Sequence, residues 1–229
     1  MTYREAIASI RDGVKIGDAI GGPSQMAAIV ADSIAVHRQV DVKDLVCRYS
    51  HWWRSGAFDT GPTFALVFGN IACGLSHDAS VLKAHEDLSE QSAGCAPAQR
   101  IASIAACHSI PDARLGQQAR LEASITHFDP DAGSAAAIVT YLTRLLLRGY
   151  SIAEINSYME WREPSGWANV KKAPLGSGGT GYEAVKTAWH CLLVDEVPMQ
   201  LCERLSGVNN YAGPILGAFM AAQRWRAAA

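Results

Sequence analysis

Two runs of small residues, one near each end of the chain, constrain its fold most. They are Gly17-Asp18-Ala19-Ile20-Gly21-Gly22-Pro23-Ser24-Gln25-Met26 and Ser206-Gly207-Val208-Asn209-Asn210-Tyr211-Ala212-Gly213. Each reads as a tight backbone element leading into an apolar helix, an arrangement that brings main chain close to a ligand or metal. Past Asp18, neither run contains a carboxylate. What they offer a ligand is backbone N–H groups and the neutral side chains of Ser24, Asn209 and Asn210, a lining suited to a sugar or phosphate.

The remainder is dominated by helical signals. Asp41 caps a periodic segment carrying Leu45, Tyr49, Trp52 and Trp53 that stops at Gly56. Asp129-Pro130 opens a segment running to Gly149, which as a helix is about 28 Å long. Ser151-Ile152-Ala153-Glu154 is a capping box. Further periodic segments cover 3–12, 24–37, 62–74, 97–107, 112–124, 181–193, 197–205 and 211–226, and runs of strand type are hard to find. The expectation is an all-α globule of about ten helices, one domain over 1–229, with loops at 75–95 and 162–180.

Composition narrows the function classes. A net charge of -2 gives no electrostatic case for nucleic acid or an anionic membrane. No apolar run approaches the length of a membrane span. Met1-Thr2-Tyr3-Arg4-Glu5 reads as a helix start rather than a signal peptide. The six cysteines, in alanine-rich surroundings, read as buried free thiols of a cytoplasmic protein.

Gly176-Ser177-Gly178-Gly179-Thr180-Gly181 fits G-x-G-x-x-G, but Lys171-Lys172-Ala173-Pro174-Leu175 before it is no strand, so a Rossmann site is not expected. The loop opens a helix, and Ser177, Gly178, Gly179 and Tyr182 are candidates to receive a phosphate or ribose oxygen. The other reading is a surface loop, and the spacing does not choose between them. Cys47/His51 and Cys73/His77 have i,i+4 spacing that could build a zinc site, though chance spacing accounts for them better. His127 stands in an irregular junction before a capped helix, where functional residues concentrate. Asp59 or Thr60, taken alone, reads as a cap for the next helix.

In order along the chain, these junctions resemble the ADP-ribosylglycohydrolase family. Gly17-Asp18-Ala19-Ile20-Gly21 is similar to its opening Gly-Asp-Ala-Leu-Gly, and Gln25 to Ser33 to the helix after its Thr-Asp-Asp-Thr metal motif. Trp53 to Gly61 resembles its Trp…Ser-Gly…Asp-Ile-Gly segment, and Gly94 to Arg100 its Gly-Asn-Gly-x-x-Met-Arg. Ile125-Thr126-His127 with the long helix behind it is the nearest match, and Gly207 to Gly217 falls where the family has Gly-Gly-Asp-x-Asp-Thr. The resemblance implies an all-α fold with a central cleft. In active members the cleft holds two Mg²⁺ ions, binds ADP-ribose and cleaves an N- or O-glycosidic bond to a modified side chain. Asp59 and His127 stand at matching positions and are the candidate catalytic residues.

The departures concern the metal. Gly21-Gly22-Pro23-Ser24 stands where Thr-Asp-Asp-Thr belongs, Val208 and Asn210 replace the paired aspartates, Ala212 a threonine and Cys95 an asparagine. Two divalent cations about 4 Å apart repel by on the order of 16 kcal/mol at an effective dielectric of 20, which carboxylates must offset. Asp18 and Asp59 alone do not suffice, so no binuclear Mg²⁺ site is expected and a single Mg²⁺ would bind weakly. The leading expectation is a protein that binds an ADP-ribosyl or nucleotide-like ligand, or an ADP-ribosylated protein. The ligand would lie among Asp18, Ser24, Gly94 and Cys95, the 177–182 loop, and Asn209 and Asn210. One alternative is a hydrolase of altered metal dependence, with Asp59 as general base and His127 orienting substrate. Another is an interaction protein with a closed cleft and Trp52, Trp53, Trp161 and Trp167 as anchors.

Overall fold

Most helix starts carry their cap in the preceding residue or a proline in the first turn, and the fold follows from them. The structure is a computed structural model that describes residues 2–227. Met1, in the expected helix start, lies outside the described residues. So do the last two residues of the expected 1–229 domain. Thr2 and Glu5 form a capping box that opens α1 (Tyr3–Gly17). Gly21, at φ +122°, and Pro23 open α2 (Gly22–His37). Asp41 accepts from the Asp44 N–H at 2.9 Å to cap α3 (Val42–Arg54). Gly61, at φ +73°, precedes α4 (Pro62–Ala72).

α5 (His77–Asp87), capped by Ser76, and the short α6 (Ala96–Arg100) lead through a 3-10 turn, Ala102–Ala106, to α7 (Asp112–Ala123). Asp129 caps α8 (Pro130–Arg148), which ends on Gly149 in the left-handed region. α9 (Ile152–Arg162) starts on the expected Ser151 capping box, and α10 (Pro164–Lys172) follows at once. Thr180 and Glu183 cap α11 (Gly181–Leu193), followed by α12 (Pro198–Ser206) and α13 (Gly213–Ala227). Among the described residues the fold is all-α, thirteen α-helices with one isolated bridge between Gly94 and Thr180. None of these helices is long and apolar enough to cross a membrane.

Two stretches expected to be loops are largely helix. α5 lies in the first and α10 in the second. α5 buries only Ser80, Val81 and Ala84, so it carries no apolar stripe, and Ser76 was its one signal. α10 hides behind Pro164 at its first position, which starts a helix as readily as it breaks one. The expected 97–107 helix divides into α6 and the 3-10 turn. The cysteines also divide: Cys95, Cys107, Cys191 and Cys202 are buried, whereas Cys47 and Cys73 are exposed. Cys73 ends α4 and His77 begins α5, so this pair shares no helix face, and His77 Nε2 lies 2.9 Å from the Ile125 carbonyl.

α8 runs through the core with every residue from Ala135 to Leu146 buried, and Thr140 and Thr143 return their hydroxyls to carbonyls four residues back. A helix apolar on all sides needs neighbours on all sides, and α6, α7, α9, α10, α11 and α13 supply them.

α1 and α13 meet through glycine. Gly13 and Gly17 face Gly217 and Gly213, and a Cβ built on any of the four would collide with backbone of the opposite helix. Asn210 Nδ2 then donates to the Gly17 carbonyl at 2.9 Å, which sets the two small-residue runs side by side. Gly217→Ala is expected to destabilise the fold by about 1–3 kcal/mol, because the obstacle is a carbonyl that cannot rotate away. Gly69→Ala, whose new Cβ meets nothing closer than Trp53 at 3.9 Å, should instead be neutral or stabilising by up to about 1 kcal/mol. Urea unfolding of both variants against the parent checks the contrast.

Candidate functional site

The first run folds back on Asp18. Its Oδ1 accepts from the N–H groups of Ile20 at 3.2 Å and Gly21 at 2.9 Å, and Oδ2 from that of Ser24 at 2.7 Å. Asp18 is therefore the anion that satisfies the open N–H groups leading into α2. The Ser24 hydroxyl donates to the Gly21 carbonyl at 2.9 Å, so this expected ligand serves its own turn.

Gly22 brings in the second carboxylate. The backbone of Phe58 and Asp59 lies so close that a Cβ at Gly22 would strike the Asp59 carbonyl. Asp59 itself adopts a left-handed backbone at φ +50°, uncommon for a residue with a side chain. Partial burial, and then the Asp18 charge, push its carboxyl above the ordinary aspartate range, opposed by a backbone hydrogen bond from Gly22.

The third element rises from a buried ion pair. Arg100 is fully buried, and its Nε donates to Glu122 Oε1 at 2.7 Å. The Tyr49 hydroxyl donates to the same oxygen at 2.8 Å, and the guanidinium lies 5.3 Å from the Tyr49 ring centroid. Arg100 Nη2 reaches Thr126 Oγ1 at 2.9 Å, and Thr126 Oγ1 lies 2.7 Å from His127 Nδ1. His127 is only 4% exposed. Burial, and then the Arg100 charge, hold its imidazole well below the ordinary histidine range. Its Nε2 lies beside Gly94, 3.2 Å from where a Cβ would stand.

The 93–95 and 179–181 segments are laced together: Cys95 N–H donates to the Gly179 carbonyl and Gly181 N–H to that of Ala93, both at 3.0 Å. Burial pushes the Cys95 thiol up to about 12, with Asp59 and Glu183 adding to the rise against a backbone hydrogen bond, which favours the neutral thiol.

These elements enclose a cavity of about 550 Å³. Of the expected residues, Asp18, Asp59, Gly94, Cys95, His127, Gly179, Asn209 and Asn210 line it. Ser24, Ser177, Gly178 and Tyr182 do not. Glu183 explains the loop residues: its Oε2 accepts from Thr180 N–H at 3.1 Å and Oγ1 at 2.6 Å, and Gly178 lies against the same carboxylate. A side chain of the helix itself thus occupies the place read as a phosphate cradle. The Tyr182 hydroxyl donates to Asp131 at 3.0 Å. Val208 is 93% exposed.

Gln99, Glu90, Asp129 and Tyr211 also line the cavity and were not among the expected site residues. Glu90 arrives through consecutive left-handed residues, Ser89 at φ +54° and Glu90 at φ +63°, a turn with no glycine to announce it. Gln99, adjacent to Arg100, donates to the Tyr211 carbonyl at 2.9 Å. The lining holds four carboxylates, Asp18, Asp59, Glu90 and Asp129, and no lysine or arginine. The cavity is open, against the closed-cleft reading. Of that reading's anchors, Trp167 is 2% exposed, Trp52 and Trp53 pack on Phe64, and Trp161 is 73% exposed.

A model of the ADP-ribosylglycohydrolase family matches residues 17–224, which include every element of this cavity. The chain belongs to the ADP-ribosylglycohydrolase family. A solved structure described as "ADP-ribosylglycohydrolase-related protein complex" has the same fold, with a TM-score of 0.73 at 19% identity over 96% of this chain and 88% of that one. No curated protein matches.

Both Asp18 oxygens already face backbone N–H groups. Among the described residues no three His, Cys, Asp or Glu side chains converge on a point that could hold a metal.

Glu122→Ala should destabilise the protein by about 3–5 kcal/mol in equilibrium denaturation, because it strands a buried guanidinium. His127 supplies a pH test. Its folded pKa lies below its unfolded one, so the unfolded chain takes up a proton as pH falls through about 6.5 while the folded protein does not. This contribution to stability is complete above that pH and declines below it. The stability of the parent relative to His127→Gln, measured by urea unfolding across pH, should fall as the solution is acidified.

Proposed function

We propose that the cavity holds the terminal ribosyl part of an ADP-ribosyl group, free or attached to a protein, without a pair of Mg²⁺ ions. The observation that carries this reading is the lining: four carboxylates and an imidazole, with no basic side chain. Carboxylates accept strong hydrogen bonds from sugar hydroxyls. The same charges repel a diphosphate, so the ribosyl end enters and the diphosphate stays toward the mouth. The family and the cavity volume, which falls in the usual range for small-molecule sites, support the same ligand class.

Calorimetric titration tests this. ADP-ribose should bind, its affinity should change by less than about twofold on adding Mg²⁺, and ADP lacking the terminal ribose should bind at least about tenfold more weakly. A large Mg²⁺-dependent gain, or equal binding of ADP, would overturn it.

A second reading, slow hydrolysis, is favoured by the unequal surroundings of Asp18 and Asp59. Asp18 is engaged by three N–H groups, while the Asp59 carboxyl is pushed up beside it. Two carboxylates in different environments can divide acid and base roles. Release of ADP-ribose from an ADP-ribosyl-arginine substrate should then fall by about 10²-fold or more in Asp59→Asn with the fold intact. No release by the parent protein sinks this second reading and leaves the first.

A further inference from the structure

We infer that Thr126 is a positioning residue that fixes the tautomer of His127, with the ring proton on Nε2, so that the cavity selects a ligand presenting an oxygen acceptor at the Gly94 wall. The choice of ligand rests on the reading of the cavity given above, whereas the tautomer does not.

The argument is a count of donors and acceptors. Arg100 can only donate, and its Nη2 donates to Thr126 Oγ1 at 2.9 Å. Thr126 is wholly buried, and among the described residues its hydroxyl has two partners, Arg100 and His127 Nδ1. The Arg100 bond uses the hydroxyl as acceptor. Its one proton must go to the remaining partner, Nδ1, at 2.7 Å. Nδ1 is then the bare nitrogen, and a neutral ring carries its hydrogen on Nε2. The opposite tautomer would leave the Thr126 proton buried without an acceptor. The Arg100 charge and burial both act against a doubly protonated ring.

Nε2 has no hydrogen-bond partner among the described residues and lies beside Gly94 on the cavity wall. A side chain at position 94 would place a carbon 3.2 Å from it and cover it. Gly94 is not among the positive-φ residues, so its missing side chain matters for the space it leaves in front of the imidazole rather than for backbone conformation. Three other lining donors are already engaged: Gln99 with the Tyr211 carbonyl, Asn210 with the Gly17 carbonyl and Thr180 with Glu183. The cavity therefore sets an N–H donor at His127 among the carboxylates Asp18, Asp59, Glu90 and Asp129. A neutral polyol matches that pattern, with an ether or carbonyl oxygen toward His127 and hydroxyls toward the acids. An amine or ammonium toward His127 does not.

Long-range proton–nitrogen NMR of the ¹⁵N-labelled protein reads the tautomer directly. The parent should show Nδ1 at the unprotonated imine position and Nε2 at the protonated one. Thr126→Val should lose this pattern, giving a mixed or reversed tautomer, and Thr126→Ser should restore it. Gly94→Ala should keep the tautomer and weaken ADP-ribose binding by about tenfold or more. A proton on Nδ1 in the parent, or a pattern unchanged by Thr126→Val, overturns the positioning role. Should Thr126→Val fail to fold, the parent spectrum still decides the tautomer. ADP-ribose binding by Gly94→Ala at the parent's affinity overturns the donor role of Nε2. An intact tautomer with no ADP-ribose binding by the parent overturns the ligand half and the reading on which it rests, while the tautomer half stands.

Discussion

The close approach of α1 and α13 is the constraint on which the site depends. Two helices with side chains at their crossing stand 8–10 Å apart; Gly13, Gly17, Gly213 and Gly217 remove those side chains and let backbone meet backbone. That approach places the end of α1 against the loop before α13, where Asn210 bonds the Gly17 carbonyl. Asp18 follows Gly17 directly, so the crossing determines where the first carboxylate of the cavity stands. Gly22 repeats the device one step later, admitting the Asp59 backbone against the start of α2. The cavity walls are set by what these glycines lack.

Beneath the cavity, charge takes over from packing. Arg100 and Glu122 are both wholly buried, a placement tolerated only with near-complete hydrogen bonding. Tyr49, Thr126 and the Met26 sulfur fill the guanidinium's surroundings, and Glu122 Oε2 alone is left without a partner. The pair joins α6 to α7 and carries its influence through Thr126 to His127. The imidazole of the cavity is thus governed by a salt bridge that no ligand can touch.

Much of this was legible in the sequence, for local reasons. Asp41, Asp129 and Ser151 announced their helices because an N-cap needs only its own neighbours. Asp18, Asp59 and His127 stood out as junction residues, and the fold gathers them. What was not legible had a separate cause in each case. α5 escaped because a surface helix with little buried face lacks the periodic signal. Ser177, Gly178 and Tyr182 lie off the cavity lining, where Thr180 and Glu183 form a capping box that uses the glycine loop for itself. Glu90 depends on a turn whose two left-handed residues carry no sequence mark.

The glycine crossing also governs the order in which the molecule can be assembled. Its two partners are separated by about two hundred residues, among the longest loops this chain can close. During synthesis α1 emerges early and waits, its glycine face uncovered, until α13 is made. Most of the α8 surroundings can pack in the interval, since α6, α7, α9, α10 and α11 precede α13. The cavity cannot, because Asn209, Asn210 and Tyr211 lie in the segment that arrives with α13. A nascent chain would therefore have most of its core before it had a binding site, and ligand capture would belong to the last event of folding.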